Sequence, residues 1–280
     1  MKVIDASTII DTVESLCITA NYYLNNDILD VLQKKLNIEE SGVGAHVIEK
    51  IIENAHIARS EEIAVCQDTG MTVVFVEIGQ DVHISGENIF EAINEGVRRG
   101  YEKGFLRKSV VGDPIERVNT GDNTPAVVHY DIVKGDKLKI TVAPKGFGSE
   151  NMSTLKMLKP ADGIEGVRKF VIEAVSNAGP NPCPPIVLGV GIGGTMEKAA
   201  ILAKKALIRP INIRSSIEYV KNLEIELLDK INNLGIGPLG LGGRTTALAV
   251  NIEVFPTHIA GLPVAVNMSC HATRHAEAVL

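Results

Sequence analysis

Three short stretches of the chain carry cysteines in settings where a thiol could do chemistry: Cys66 in VCQDTGM, Cys183 in NPCPP and Cys270 in NMSCHATRH. Each stands where a strand-like run begins or ends, and such junctions are where rigid scaffolds expose functional groups. In NPCPP the prolines fix their own backbone and restrict the residue before them, which holds Cys183 on a stiff, non-helical loop with its thiol direction preset. None of the three belongs to a C-x-x-C pair, so the local zinc and bacterial ferredoxin spacings are absent. Three thiolates gathered from distant segments still make sense for a centre that keeps one coordination position open to substrate. The residues alone leave two alternatives open, three unrelated core cysteines and a thiol nucleophile. The fourth cysteine, Cys17, shares a helical apolar stripe with Val13, Ala20 and Leu24 and reads as a buried small hydrophobe.

Asp68 lies two residues after Cys66, inside a QDTG turn, where an aspartate can cap the backbone or, beside a ligand cysteine, act as general acid or base. Arg107 in GFLRKS, His258 in FPTHIAGLP, and the pair His271 and His275 would ordinarily be surface groups, although histidines also orient ligands from behind. Gly189, Gly191 and Gly194 satisfy G-x-G-x-x-G after a strand and before a helix. About 20 residues further on, where a dinucleotide site would need an acid for the ribose, the chain reads LIRPINI. The run therefore favours close backbone approach to some other anion at a helix N-terminus. A second glycine-dense stretch, GIGPLGLGG at 235–243, reads as a flexible connector or as a surface pressed against a ligand.

The elements that must position these groups are mixed. Residues 7–57 look helical, with Ile48, Ile51, Ile52 and Ala55 at helical spacing and Asp27 as an N-cap before ILDVLQKKL. After about residue 60, strands and helices alternate. Strand 72–78 is followed by helix 87–104, and 128–132 with 138–142 reads as a hairpin turned by KGD at 134–136. Helix 162–178, with Ile164, Val167, Val171 and Ala174 inward, precedes strand PIVLGV, two further helices, and two closing strands around 248–254 and PVAVNM. The expected fold is mixed α/β (α+β): one domain over 1–280, with a helical segment to about residue 60 and a mixed region over 61–280, arranged as one body or as two lobes around the site.

Composition narrows the partners. At 280 residues, 45% hydrophobic and 22% charged, the chain can bury a sizeable core. A net charge of -6, with no long basic run and no tryptophan, argues against nucleic acid and anionic membrane. The start, MKVIDASTIIDTVESL, interleaves acids with apolar residues, unlike a secretion signal, and no window approaches the ~20 apolar residues of a membrane span. A cytoplasmic location is expected, where unpaired cysteines bind metal or react.

CQDTG, NTGDNTPAVVH at 119–129, APKGFGSEN at 143–151, NPCPP with GVGIGGT, GPLGLGGRTTALAV and NMSCHATRHAEA, taken in order, resemble the alpha subunit of the class I iron–sulfur hydro-lyases. That family comprises oxygen-sensitive fumarate hydratases and L-tartrate dehydratase. The resemblance runs from about residue 10 to the C-terminus and implies a [4Fe–4S] cluster on Cys66, Cys183 and Cys270, with a fourth iron free of protein ligands. It implies Asp68 as the acid/base carboxylate, and Gln67, Arg107, the Gly148 backbone and His258 as contacts to a small dicarboxylate. Single-chain members continue into a second domain that adds Arg, Lys and Thr side chains, so a separate beta subunit in a hetero-oligomer is implied here. Fumarate/malate is the first expectation for substrate and L-tartrate the second. Two readings compete: a structural subunit with zinc on the three cysteines and His271 or His275, and a nucleotide-binding module using G-x-G-x-x-G.

Overall fold

The computed structural model describes residues 2–280. It is mixed α/β, and its chain divides into two compact units. The first comprises the chain up to Leu24, Ala55–Phe147 and Arg274–Leu280; the second comprises Asn25–Asn54 and Gly148–Thr273. Among the described residues, no helix is long and apolar enough to cross a membrane.

In the first unit, β1 (Lys2–Asp5) leads into α1 (Ala6–Tyr22), whose first turn is capped by the Asp5 carboxylate accepting from Ser7 N at 2.9 Å. Ile9, Val13, Leu16 and Cys17 form the buried stripe of α1, as the sequence predicts for Cys17. Burial pushes the Cys17 thiol far above its usual range, so it stays protonated and inert. These side chains pack with Ile93, Val97 and Tyr101 of α4 (Ile89–Lys103) against a four-stranded sheet. Its order is β10 (Ala276–Val279), β5 (Leu138–Lys145), β2 (Met71–Gly79), β4 (Val127–Val133), with β2 and β4 parallel. A separate parallel pair joins β1 to β3 (Val82–Ser85).

This order overturns the hairpin expected between 128–132 and 138–142. Strand β2 lies between β4 and β5 and pairs with both. The chain from β4 to β5 crosses the end of β2, where Gln80 N donates to Val133 O and Asp81 N donates to Gly135 O. The physical reason is visible in β2 itself: Thr72 to Val76 are all buried, as a central strand demands, whereas Tyr130 and Ile132 of β4 are exposed at the sheet edge.

The second unit holds α2 (Asn26–Leu36), most of α3 (Gly42–Glu61), the short α5 (Phe147–Glu150), α6 (Gly163–Ala178), α7 (Met196–Ala206) and α8 (Glu218–Asn232). Its sheet has the order β6 (Thr154–Leu158), β9 (Leu262–Ser269), β7 (Ile186–Gly193), β8 (Ala247–Phe255). Strand β7 pairs parallel with β8 and antiparallel with β9. One face of β7, through Leu188 and Val190, packs on a core shared with α6 and α8. The other face carries Gly189 and Gly191, and against it lies α7. A Cβ at either position would stand 2.0 Å from a helix carbonyl, of Ala203 or Ala199 respectively. These glycines lie inside the strand and admit a helix at backbone contact, which replaces the anion-binding reading of G-x-G-x-x-G.

Smaller corrections follow the same logic. Asp27 lies within the first turn of α2 instead of capping it, and its carboxylate accepts from Ile211 N at 2.8 Å. Ile164 is exposed, although Val167, Val171 and Ala174 of α6 face inward. The GIGPLGLGG stretch is folded tightly on its own chain. Gly242 N donates to Ile236 O, and a Cβ on Gly240 would lie 2.3 Å from Pro180 Cβ.

Candidate active site

In the first unit the CQDTG residues form a turn directly before β2, and almost every polar group of that turn is held. Asp68 accepts with both carboxylate oxygens, from Gly70 N at 3.0 Å and from Phe147 N at 2.9 Å. The second bond exists because β5 pairs antiparallel to β2, Met71 opposite Lys145, which delivers residues 145–147 to the turn. Gly70 has φ +76, and a Cβ there would stand 2.7 Å from the Lys145 backbone, so only glycine fits.

The carbonyls of the turn are tied from below. Tyr101, fully buried on α4, donates its hydroxyl to Thr69 O at 2.7 Å and Gly70 O at 3.1 Å. Burial raises its pKa well above the ordinary phenol value, so it remains a donor. Arg274 donates Nη2–H to Asp68 O at 2.6 Å. Asn123, fully buried, donates to Gly70 O at 3.2 Å and accepts from Ser109 N at 2.7 Å, which joins the turn to the loop carrying Arg107. Thr69 Oγ1 donates to Arg107 O at 2.9 Å, so the backbone of Arg107 is fixed beside the turn while its side chain is exposed. Gln67 is exposed too, and Cys66 is half-buried with Sγ 3.6 Å from Gln67 Oε1. Cys66, Gln67, Asp68 and Arg107 thus belong to one network.

In the second unit the loops that carry the two other cysteines adjoin. Because β7 and β9 are antiparallel, with Val187 opposite Ser269, the loop entering β7 adjoins the chain leaving β9. Cys183 O accepts from His271 N at 3.2 Å and lies 3.1 Å from His271 Nδ1; a carbonyl can only accept, so Nδ1 carries the proton. Cys183 itself has φ +54, a strained backbone for a residue with a Cβ. Pro182, Pro184 and Pro185 around it are buried while Cys183 is exposed, so the prolines anchor the loop and turn the thiol outward. Leu239 N, from the glycine-dense stretch, donates to Pro184 O at 2.8 Å and braces the loop from the other side. Gly148 in α5 is exposed, and a Cβ there would find Asn181 O at 3.9 Å, so it borders the same loop.

Within the second unit, the structure does not bring His258 to Cys270. It lies in the exposed loop before β9, whereas Cys270 follows β9, and eight residues of extended chain span about 26 Å. There His258 Nδ1 accepts from Ala260 N at 3.2 Å. Tyr101, Asn123 and Arg274 are site-building residues that the sequence reading passed over. Asn123 and Arg274 sit inside the NTGDNTP and CHATR motifs, and that was their only signal.

None of the four cysteines forms a disulfide, and the three outside α1 are exposed or half-buried. Among the described residues, no three His, Cys, Asp or Glu side chains stand together as ligands for one metal ion, the grouping a zinc site requires. An iron–sulfur cluster takes each thiolate on a different iron, so its ligands surround the cluster further apart than those of a single ion. The donor chemistry of Cys66, Cys183 and Cys270 fits a cluster, and the structure joins the loops of the latter two.

The family model described as fumarate hydratase (fumerase) matches residues 10–279. The chain belongs to the fumarate hydratase family. As a member of that family it is a hydro-lyase. It is 46% identical over 272 residues, 95% of both chains, to a Methanocaldococcus jannaschii protein named "Putative L(+)-tartrate dehydratase subunit alpha". It is 36% identical over 253 residues to the L(+)-tartrate dehydratase subunit alpha of Escherichia coli strain UTI89, covering 89% of this chain and 83% of that one. The strain K12 protein of the same name is 35% identical over the same length.

Proposed function

We propose that this fumarate hydratase family member is the alpha subunit of a [4Fe–4S]-dependent enzyme that reversibly hydrates fumarate to L-malate, with a separate beta subunit completing the site. The observation that carries the reading is the Asp68 carboxylate, fixed by two backbone amides in the same turn as Cys66 and in one network with Arg107. A carboxylate has about four lone-pair sites. Two are used by Gly70 and Phe147, so Asp68 keeps capacity to take a proton without losing its orientation. In dehydration Asp68 removes the proton from the carbon beside one substrate carboxylate; in hydration it returns that proton. The exposed Arg107 guanidinium pairs with a substrate carboxylate in fork geometry, and the Gln67 amide and Gly148 backbone add hydrogen bonds. Holding the substrate in one orientation against Asp68 turns proton transfer into a local step.

Cys66, Cys183 and Cys270 would hold the cluster, with the His271 Nδ1–H···O=C bond fixing the Cys183 backbone. When bound, the cluster's iron without a protein ligand supplies a Lewis acid for departure of the hydroxyl group. Thiolate ligation of that kind suits a reducing compartment, and we place the enzyme in the cytoplasm. The relatives' names as alpha subunits support a beta partner, and their names as tartrate dehydratases support L-tartrate as a second reading of the substrate.

The test is anaerobic co-purification of the full chain with its partner subunit, assay of iron and acid-labile sulfide, and measurement of fumarate formed from malate alongside loss of L-tartrate. Iron and sulfide in near-equal amounts with turnover of malate support the proposal. Turnover of tartrate alone moves the substrate, and a cluster-loaded complex inert toward both removes the hydratase reading. Activity that persists through long aeration counts against an iron lacking a protein ligand.

A further inference from the structure

Arg274 is a buried cation, 5% exposed, on the short stretch between Cys270 and β10. Its planar fork makes two different contacts within the first unit. Nη2 donates to Asp68 O at 2.6 Å, and Nε donates to Asn21 Oδ1 at 3.2 Å. Asn21 is itself fixed on α1, where its Nδ2 donates to Cys17 O at 2.9 Å. The guanidinium therefore ties the peptide plane between Asp68 and Thr69 to a helix that has no part in the chemistry. The next two carbonyls of the turn, Thr69 O and Gly70 O, already have Tyr101 and Asn123. Asp68 O is held by Arg274, and losing that bond would loosen the backbone on which the Asp68 side chain is mounted.

We propose that Arg274 is a positioning residue for the reaction: it acts through Asp68, holding the carboxylate in its productive direction, and it touches no substrate. The inference rests on the hydratase reading above for its kinetic arm only. Arginine suits the position because Nη2 and Nε of one rigid plane reach Asp68 O and Asn21 Oδ1 from fixed points, whereas a lysine presents its three N–H donors from one mobile nitrogen.

The experiment compares the parent complex with Arg274→Gln and Arg274→Lys, measuring kcat and KM and the hydrogen exchange of individual backbone amides of the full chain. Displacing a catalytic group by about 1 Å can cost about 10²-fold. For Arg274→Gln the expected result is a kcat about 10²-fold lower, with KM within about threefold of the parent because the substrate contacts are untouched. Arg274→Lys should recover part of the loss. In the glutamine variant the Gly70 and Phe147 amides, which donate to Asp68, should exchange about tenfold faster, while Val190 and Val250 in the second unit keep their parental rates. A kcat within about threefold of the parent, unchanged exchange at Gly70 and Phe147, or a uniform rise in exchange across both units would each overturn the positioning role. If the parent complex turns over neither substrate, the hydratase reading falls, and the exchange arm still decides whether Arg274 holds the turn.

Discussion

Replacing Asp68 by asparagine separates the two duties of that side chain. The carboxylate now gives one oxygen to Gly70 N and the other to Phe147 N. Asparagine has a single carbonyl oxygen, so one of those amides would face an NH₂ group and lose its acceptor, while the other would bond to a neutral oxygen. A hydrogen bond to a charged group contributes about 1.5–3 kcal/mol, so the variant should unfold at lower denaturant by about that much. Catalysis should suffer on a different scale. Loss of a positioned general base costs about 10²–10⁴-fold in turnover, or about 2.7–5.4 kcal/mol of barrier at 1.36 kcal/mol per decade. The assay measures kcat on folded, cluster-loaded complex, with iron and sulfide quantified for parent and variant alike. If Asp68 only caps the turn, the folded variant keeps turnover within about tenfold of the parent, and the proton-transfer argument fails. If iron content falls together with activity, the carboxylate serves the metal site and the base assignment is again wrong.

Tyr101→Phe leaves Thr69 O without its donor while Gly70 O keeps Asn123, so a loss of about 1–3 kcal/mol in unfolding free energy is expected; an unchanged denaturation midpoint would show that the shared hydroxyl bond holds nothing. Gly191→Ala puts a methyl 2.0 Å from Ala199 O and should destabilise by about 1–3 kcal/mol or more, with no accompanying change in nucleotide binding. Asp122 should set an acid limit on the loop that holds Asn123. Burial alone would raise its carboxyl, but hydrogen bonds from Thr124 and the Arg98 guanidinium outweigh that and lower it to about 2. A folded value below the unfolded one means stabilisation that is full above about pH 4 and lost as pH falls toward 2. Asp122→Asn should flatten that part of the stability profile, and a parental slope in the variant would refute the assignment.

Much of the secondary structure was legible because its signals are local. Helices α4, α6 and α8 show a 3.6-residue apolar stripe, and β8 and β9 lie close to the expected runs. Pairing was not legible. KGD between two alternating runs is a fair hairpin signal, yet β2 is more continuously apolar than either neighbour and takes the centre of the sheet. Strands β1, β3, β6 and β10 are four or five residues long, too short for periodicity to register. At the candidate site, motif resemblance supplied the roles of Cys66, Asp68, Arg107 and Cys183, and the structure shows the bonds that hold Asp68, Arg107 and Cys183. Tyr101 and Asn123 escaped notice because a buried phenol or amide looks like any other core residue until its hydrogen-bond partner is known. His258 shows the converse: nothing in the eleven residues of sequence between it and Cys270 reveals that β9 stretches them apart.

The backbone contact between β7 and α7 bears on how variation in this chain should be interpreted. At positions 189 and 191 every substitution other than glycine must collide with a carbonyl, whatever its polarity or charge. A saturation screen scored by growth would rank both sites as intolerant as any ligand-bearing position, though neither handles substrate. Mutational sensitivity along GVGIGGT thus measures how little room the sheet leaves its helix, and assigning a bound molecule to that segment would mistake crowding for recognition.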